Sequence, residues 1–105
     1  MKRSVQGTVF VLALAFSSIC YAEHAGQATY NAKCKSCHGA EGAADSSVAK
    51  MMKVKPVNAH EIKELTAAQM FTAVKNGKGK MQPFKGKLTD EEIKSSVAYY
   101  RTFIK

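Results

Sequence analysis

Cys34-Lys35-Ser36-Cys37-His38 sets two thiols three residues apart, with an imidazole directly after the second. On one turn of helix, side chains at i and i+3 leave from the same side. Both sulfurs can then add to the two vinyl groups along one edge of a porphyrin. The short tether holds the next residue's ring beneath the metal. C-x-x-C-H is the attachment pattern of c-type haem, so Cys34 and Cys37 are the expected thioether anchors and His38 the expected proximal iron ligand. Three other uses of paired thiols compete with this one. A disulfide redox pair belongs in a strand-helix-strand setting, and no strand pattern is evident. A zinc site needs a second Cys or His pair at finger spacing, whereas His24 and His60 stand alone. A structural disulfide in an oxidising compartment is the third. Export, a helical context and the adjacent histidine together favour haem.

Iron that passes electrons without binding substrates needs a sixth ligand. Met51, Met52, Met70, Met81, His24 and His60 are the candidates. Met70 precedes Phe71 on a helical stretch, where methionine is more often core filler. Met51 and Met52 lie in an unpatterned segment and stay open. Met81 ranks first, because Gly77, Gly79 and Pro83 shape a loop able to carry a thioether over the open face of a haem.

Helices must position these groups. Gly26, Tyr30, Cys34 and Cys37 recur at steps of four, four and three, which puts them on one face of a helix spanning residues 26–38. Thr66-Ala67-Ala68-Gln69 and Thr89-Asp90-Glu91-Glu92 have the form of capping boxes, in which hydroxyl and N3 side chain satisfy orphan amides. Met70, Phe71, Ala73 and Val74 carry the first of these helices, and Gly77 is the expected left-handed stop. Ile93, Val97, Tyr100 and Ile104 give the second an apolar stripe. Residues 43–60 show little periodicity beyond one turn near Lys50-Met51-Met52-Lys53. No sustained period-two alternation is present. The expected fold is all-α, with three main helices joined by long loops around one covalently bound haem.

Lys2 and Arg3, an apolar stretch over residues 9–16, and Cys20-Tyr21-Ala22 with small residues one and three positions before a cut make up an export signal. The apolar stretch is too short to span a bilayer, which takes about 20 residues. Residues 1–22 are therefore expected to be a cleaved secretory signal and 23–105 the haem domain, in a bacterial periplasm. No stable membrane anchor and a monomer are expected. The whole chain of 105 residues carries 16 Lys and Arg against eight Asp and Glu, a net charge of +8, with 46% hydrophobic residues. That balance excludes intrinsic disorder. A domain this small is short of apolar core and calls for a staple; the haem, packed by Phe71, Val74, Phe84, Val97 and Tyr100, would be that staple.

Three blocks resemble small class I cytochromes c, over nearly all of residues 23–105. They are Gly26-x-x-x-Tyr30 leading into Cys34-x-x-Cys37-His38-Gly39, then Gly77-Lys78-Gly79-Lys80-Met81-Gln82-Pro83-Phe84, and finally Leu88-Thr89-Asp90-Glu91-Glu92-Ile93 with Val97-Ala98-Tyr99. The resemblance implies haem thioethers at Cys34 and Cys37, proximal His38 and distal Met81. It also implies crossed first and last helices, with Gly26 at the crossing and Tyr30 near Tyr99. Two departures stand out. Gln82 separates Met81 from Pro83, and no proline between Gly42 and Ala49 offers its carbonyl to the His38 ring.

The implied function is a periplasmic carrier of single electrons between redox partners. A haem-based sensor, or a small haem-enzyme subunit with a labile distal site, is the alternative. Lys33, Lys35, Lys75, Lys78, Lys80, Lys85 and Lys87 fall in or beside the segments expected to frame the haem, where they would steer an acidic redox partner. Nucleic acid is not an expected partner, since the basic residues lack the interleaved aromatics that stack bases.

Overall fold

Thr66 and Thr89 each open a helix, as their spacing predicts. In both, the hydroxyl accepts from the amide three residues on while the Gln69 or Glu92 side chain accepts from the threonine amide. The computed structural model describes Gly7 and residues 17–105, with side chains described from residue 24 onward. The apolar stretch of residues 9–16 lies outside the described residues. Six helices follow in order: α1 (Ser17–Lys33), α2 (Lys35–His38), α3 (Ser47–Met51), α4 (His60–Lys63), α5 (Ala67–Asn76) and α6 (Asp90–Arg101). Three are long and three are single turns. Among the described residues there is no strand beyond two isolated bridges.

Alpha-helices α1 and α6 cross, and α5 packs against α6. Gly26 is what permits the first contact: a Cβ there would overlap the Ser95 carbonyl oxygen and stand 2.7 Å from the Ser95 carbonyl carbon. One turn further on, Tyr30 is 1% exposed and sits edge-on to Tyr99, with ring centroids 5.3 Å apart. Phe103 meets the same ring at 5.8 Å. On the other side of α6, Ile93 and Val97 join Met70, Phe84 and Leu88 in the core, edged by Phe71, Val74, Met81 and Tyr100. Arg101 ties α6 to the turn before α5 by donating to the Leu65 carbonyl at 2.7 Å. Asn58 holds the last residues, donating to the Phe103 carbonyl and accepting from the Lys105 amide.

The structure revises the sequence reading at three places. The helix expected to run unbroken through residues 26–38 breaks at Cys34. That residue's amide still reaches the Tyr30 carbonyl, but Cys37 then bonds to Cys34 in a tighter i to i+3 step. The unpatterned stretch holds one short helix, α3, and α4 begins where that stretch ends. Ser46 caps α3 through the Ala49 amide, and α3 ends in a Schellman turn in which Val54 reaches back to Ala49. Lys53 occupies the left-handed position of that turn, φ 56°, where glycine is usual. Finally, Gly77 does not take the left-handed helical conformation. Its φ of 78° comes with ψ of 161°, a region open almost to glycine alone.

Candidate haem site

Cys34 and Cys37 are both unpaired, half-buried thiols, the first at the N-cap of α2 and the second within it. The His38 amide donates to the Cys34 carbonyl at 2.9 Å, so the turn spans both sulfurs and the imidazole. Burial, followed by the nearby Cys37 thiol, pushes Cys34 up to about 11. Its sulfur therefore stays a protonated thiol at neutral pH. Beyond the motif, the Tyr30 hydroxyl donates to the Gly39 carbonyl at 2.6 Å. This bond fixes the peptide that follows His38 to the α1–α6 crossing.

The His38 ring is enclosed by protein on one side. Burial holds its pKa below the ordinary histidine value, which keeps the ring neutral, as a metal ligand must be. Nδ1 is buried with no hydrogen-bond partner. With Nδ1 walled in, Nε2 is the nitrogen left to face a metal. Tyr100 lies edge-to-face with the imidazole, centroids 5.3 Å apart and planes at 66°.

Met81 sits in a two-residue hairpin. Lys78 and Met81 exchange both backbone hydrogen bonds, at 3.1 and 2.9 Å, around Gly79, whose φ is 57°. Gly77 closes that loop, because a Cβ on it would come within 2.8 Å of the Met81 carbonyl oxygen. The loop returns through Phe84 and Lys85, whose amides donate to the Val74 and Lys75 carbonyls at the end of α5. Met81 is thereby packed against the core that Tyr100 also edges. Tyr100 is the link: one residue touches both His38 and the core on which Met81 rests.

The other ligand candidates are placed differently. Met70 is 5% exposed in the core, with its sulfur 3.7 Å from the Arg101 guanidinium. Met51 is 72% exposed. His60 is an exposed residue paired to Glu64 at 3.1 Å, and His24 borders a shallow cavity with Gln27, Tyr99 and Thr102. A larger open cavity of about 560 Å³ between α5 and α6, lined by Phe71, Val97 and Arg101 among others, includes neither the thiols nor His38 nor Met81. Sequence reading missed Tyr100's contact with His38, since its apolar-stripe spacing signals only that it faces inward.

These residues fit a haem bound through two thioethers: two free thiols on one turn, a neutral imidazole with one nitrogen walled off, and a thioether held at the core edge. An all-α chain that crosses its end helices over a C-x-x-C-H turn is a c-type cytochrome. Residues 22–99 match the family described as cytochrome c oxidase, cbb3-type, subunit III. The cytochrome c6 of Leptolyngbya boryana is 37% identical over 75 residues, which is 71% of this chain and 85% of that one. Among solved structures, the KustC0563 c-type cytochrome superposes with a TM-score of 0.70 at 29% identity, covering 76% of this chain and 98% of its own. The chain belongs to this cytochrome c family, as a small monohaem member with a class I all-α fold, a covalently bound haem c and a role in electron transport.

Proposed function

We propose that the chain is a periplasmic carrier of single electrons, in which Cys34 and Cys37 would anchor the haem and His38 and Met81 would be the ligands of its iron. The observation that carries this reading is the Met81 hairpin. Two glycines with positive φ and a reciprocal pair of backbone bonds hold its thioether against the core edged by the Tyr100 that touches His38. The haem supplies a one-electron iron couple, and His/Met ligation raises its potential. The chain's own part is to keep both axial side chains in place through the change of charge. Met81 packs directly on the core around Met70, Phe84, Ile93 and Val97, and His38 reaches that core through Tyr100. With both axial positions held by side chains, no coordination site is left for a substrate, which makes the protein a carrier and not an enzyme. Residues 1–22 serve as a cleaved export signal, and residues 23–105 are the working domain.

Met81→Ala tests the distal assignment. The ferrous wild type is expected to bind carbon monoxide negligibly at neutral pH. The variant should bind it readily and lose the thioether-to-iron band of the ferric spectrum. A wild type that takes up the gas freely would instead mark a sensor or haem-enzyme subunit with a labile distal site.

Lys78, Lys80, Lys85 and Lys87 are exposed around the Met81 loop, as are Lys33 and Lys35 beside the thiols. Lys75 differs, since Asp90 pairs with it at 3.1 Å. These six exposed lysines form the docking face for an acidic redox partner. Electron transfer to an acidic redox protein such as flavodoxin is expected to slow several-fold between about 10 and 150 mM salt, as the Debye length falls from about 30 to 8 Å. A flat response would remove the steering role.

A further inference from the structure

An imidazole turns easily about the bond to its Cβ, because that torsion joins sp³ to sp² carbon and its wells are broad. A hydrogen bond from the ring nitrogen facing away from the metal usually sets the angle. His38 has no such bond. Its Nδ1 is buried, and among the described residues it is the one buried side-chain nitrogen or oxygen without a partner. The ring angle must come from packing.

Tyr100 supplies that packing. Its ring meets the imidazole at 5.3 Å and 66°, an edge-to-face geometry worth about 0.5–1.5 kcal/mol between aromatic rings. Tyr100 is itself held on three sides. It lies 6.1 Å from Tyr30 at 26°, rests against the Ile93 and Val97 core, and passes so near Gly42 that a Cβ there would stand 3.2 Å from its Cε2. Tyr30 in turn donates to the Gly39 carbonyl, one residue past His38. A closed circuit results, running from His38 through the Gly39 peptide to Tyr30, across to Tyr100, and back to the imidazole.

We propose that Tyr100 is the positioning residue that sets the rotational angle of the His38 ring, in the role a carbonyl acceptor on Nδ1 would otherwise fill. This rests on His38 being the proximal iron ligand. The ring angle matters because it decides which iron d orbital overlaps the imidazole π system. That overlap governs how unpaired spin spreads over the porphyrin in the ferric state. Tyr100 touches the His38 imidazole, so its effect would travel through the ring it braces.

The test uses the ferric holoprotein and compares Tyr100→Leu, which removes the aromatic edge, with Tyr100→Phe, which keeps it. Haem-methyl proton shifts and electron paramagnetic resonance g values report the axial-plane angle, while thermal melts report stability separately. Tyr100→Leu is expected to reorder the methyl shifts and move the largest g value, and Tyr100→Phe to keep the wild-type pattern. A residue with only a structural role would lower the melting temperature and leave the pattern alone, and that result overturns the proposal. Should Tyr100→Leu fail to hold its fold, Tyr100→Trp displaces the edge instead. A changed pattern there supports the proposal and an unchanged one overturns it. A wild-type spectrum lacking low-spin histidine ligation would sink the ligand assignment as well, which separates the two failures.

Discussion

Replacing Cys34 and Cys37 together by alanine is expected to yield a colourless chain without stable tertiary structure. The described core explains why. Its fully buried apolar side chains are few among the described residues, with Tyr30, Val57 and Ile93 the largest below 2% exposure and Ala49 a mere methyl beside them. Packing between long helices is confined to α1 on α6 and α5 on α6. Phe71, Val74, Met81 and Tyr100 only edge the core and still present apolar surface. A covalently held macrocycle supplies the area these side chains lack. Losing it removes stabilisation comparable to a small domain's whole folding free energy, about 5 kcal/mol or more. Far-UV circular dichroism through a urea titration reads the outcome. Native helicity with a cooperative transition in the double variant would show that the polypeptide folds unaided.

Gly26→Ala is expected to be the costliest single methyl in the molecule. The new Cβ meets backbone, namely the carbonyl of Ser95, and no side-chain rotation can clear it. Helix α1 would have to lift from α6. That separates Tyr30 from Tyr99 and Phe103 and strains its bond to the Gly39 carbonyl. Overpacking of this kind costs about 3 kcal/mol, which for a domain this size is roughly 12–24 °C in Tm. Thermal melts followed at the haem absorption and in the far ultraviolet should fall together. A loss below about 1 kcal/mol would mean that α1 can slide along α6 without penalty.

The parts of the fold that local chemistry decides were readable in advance. Thr66 with Gln69 and Thr89 with Glu92 announce their helices, because a capping box satisfies donors within four residues. Gly26 and Tyr30 fall on the face that does cross α6, and Met81 lies in the glycine-shaped loop. What was not readable depends on partners distant in the chain or on unusual backbone. The break at Cys34 leaves the helical spacing nearly intact, so periodicity alone runs through it. Lys53 stands where a glycine would have advertised the end of α3, and the segment read as patternless. Gly77 announced a stop, but the left-handed helical turn expected there gives way to an extended positive-φ conformation with the Met81 carbonyl and Pro83 close by. The company His38 keeps was also hidden, since it depends on the crossing angle that brings α6 over α2.

The bond from Tyr30 to Gly39 fastens the segment bearing both sulfurs to the terminal crossing. With that latch shut, Cys34 is half-covered, and burial pushes its thiol up to about 11. An assembly catalyst thus has its best access before the end helices meet. Attachment of the cofactor is therefore expected to precede closure of the α1–α6 crossing.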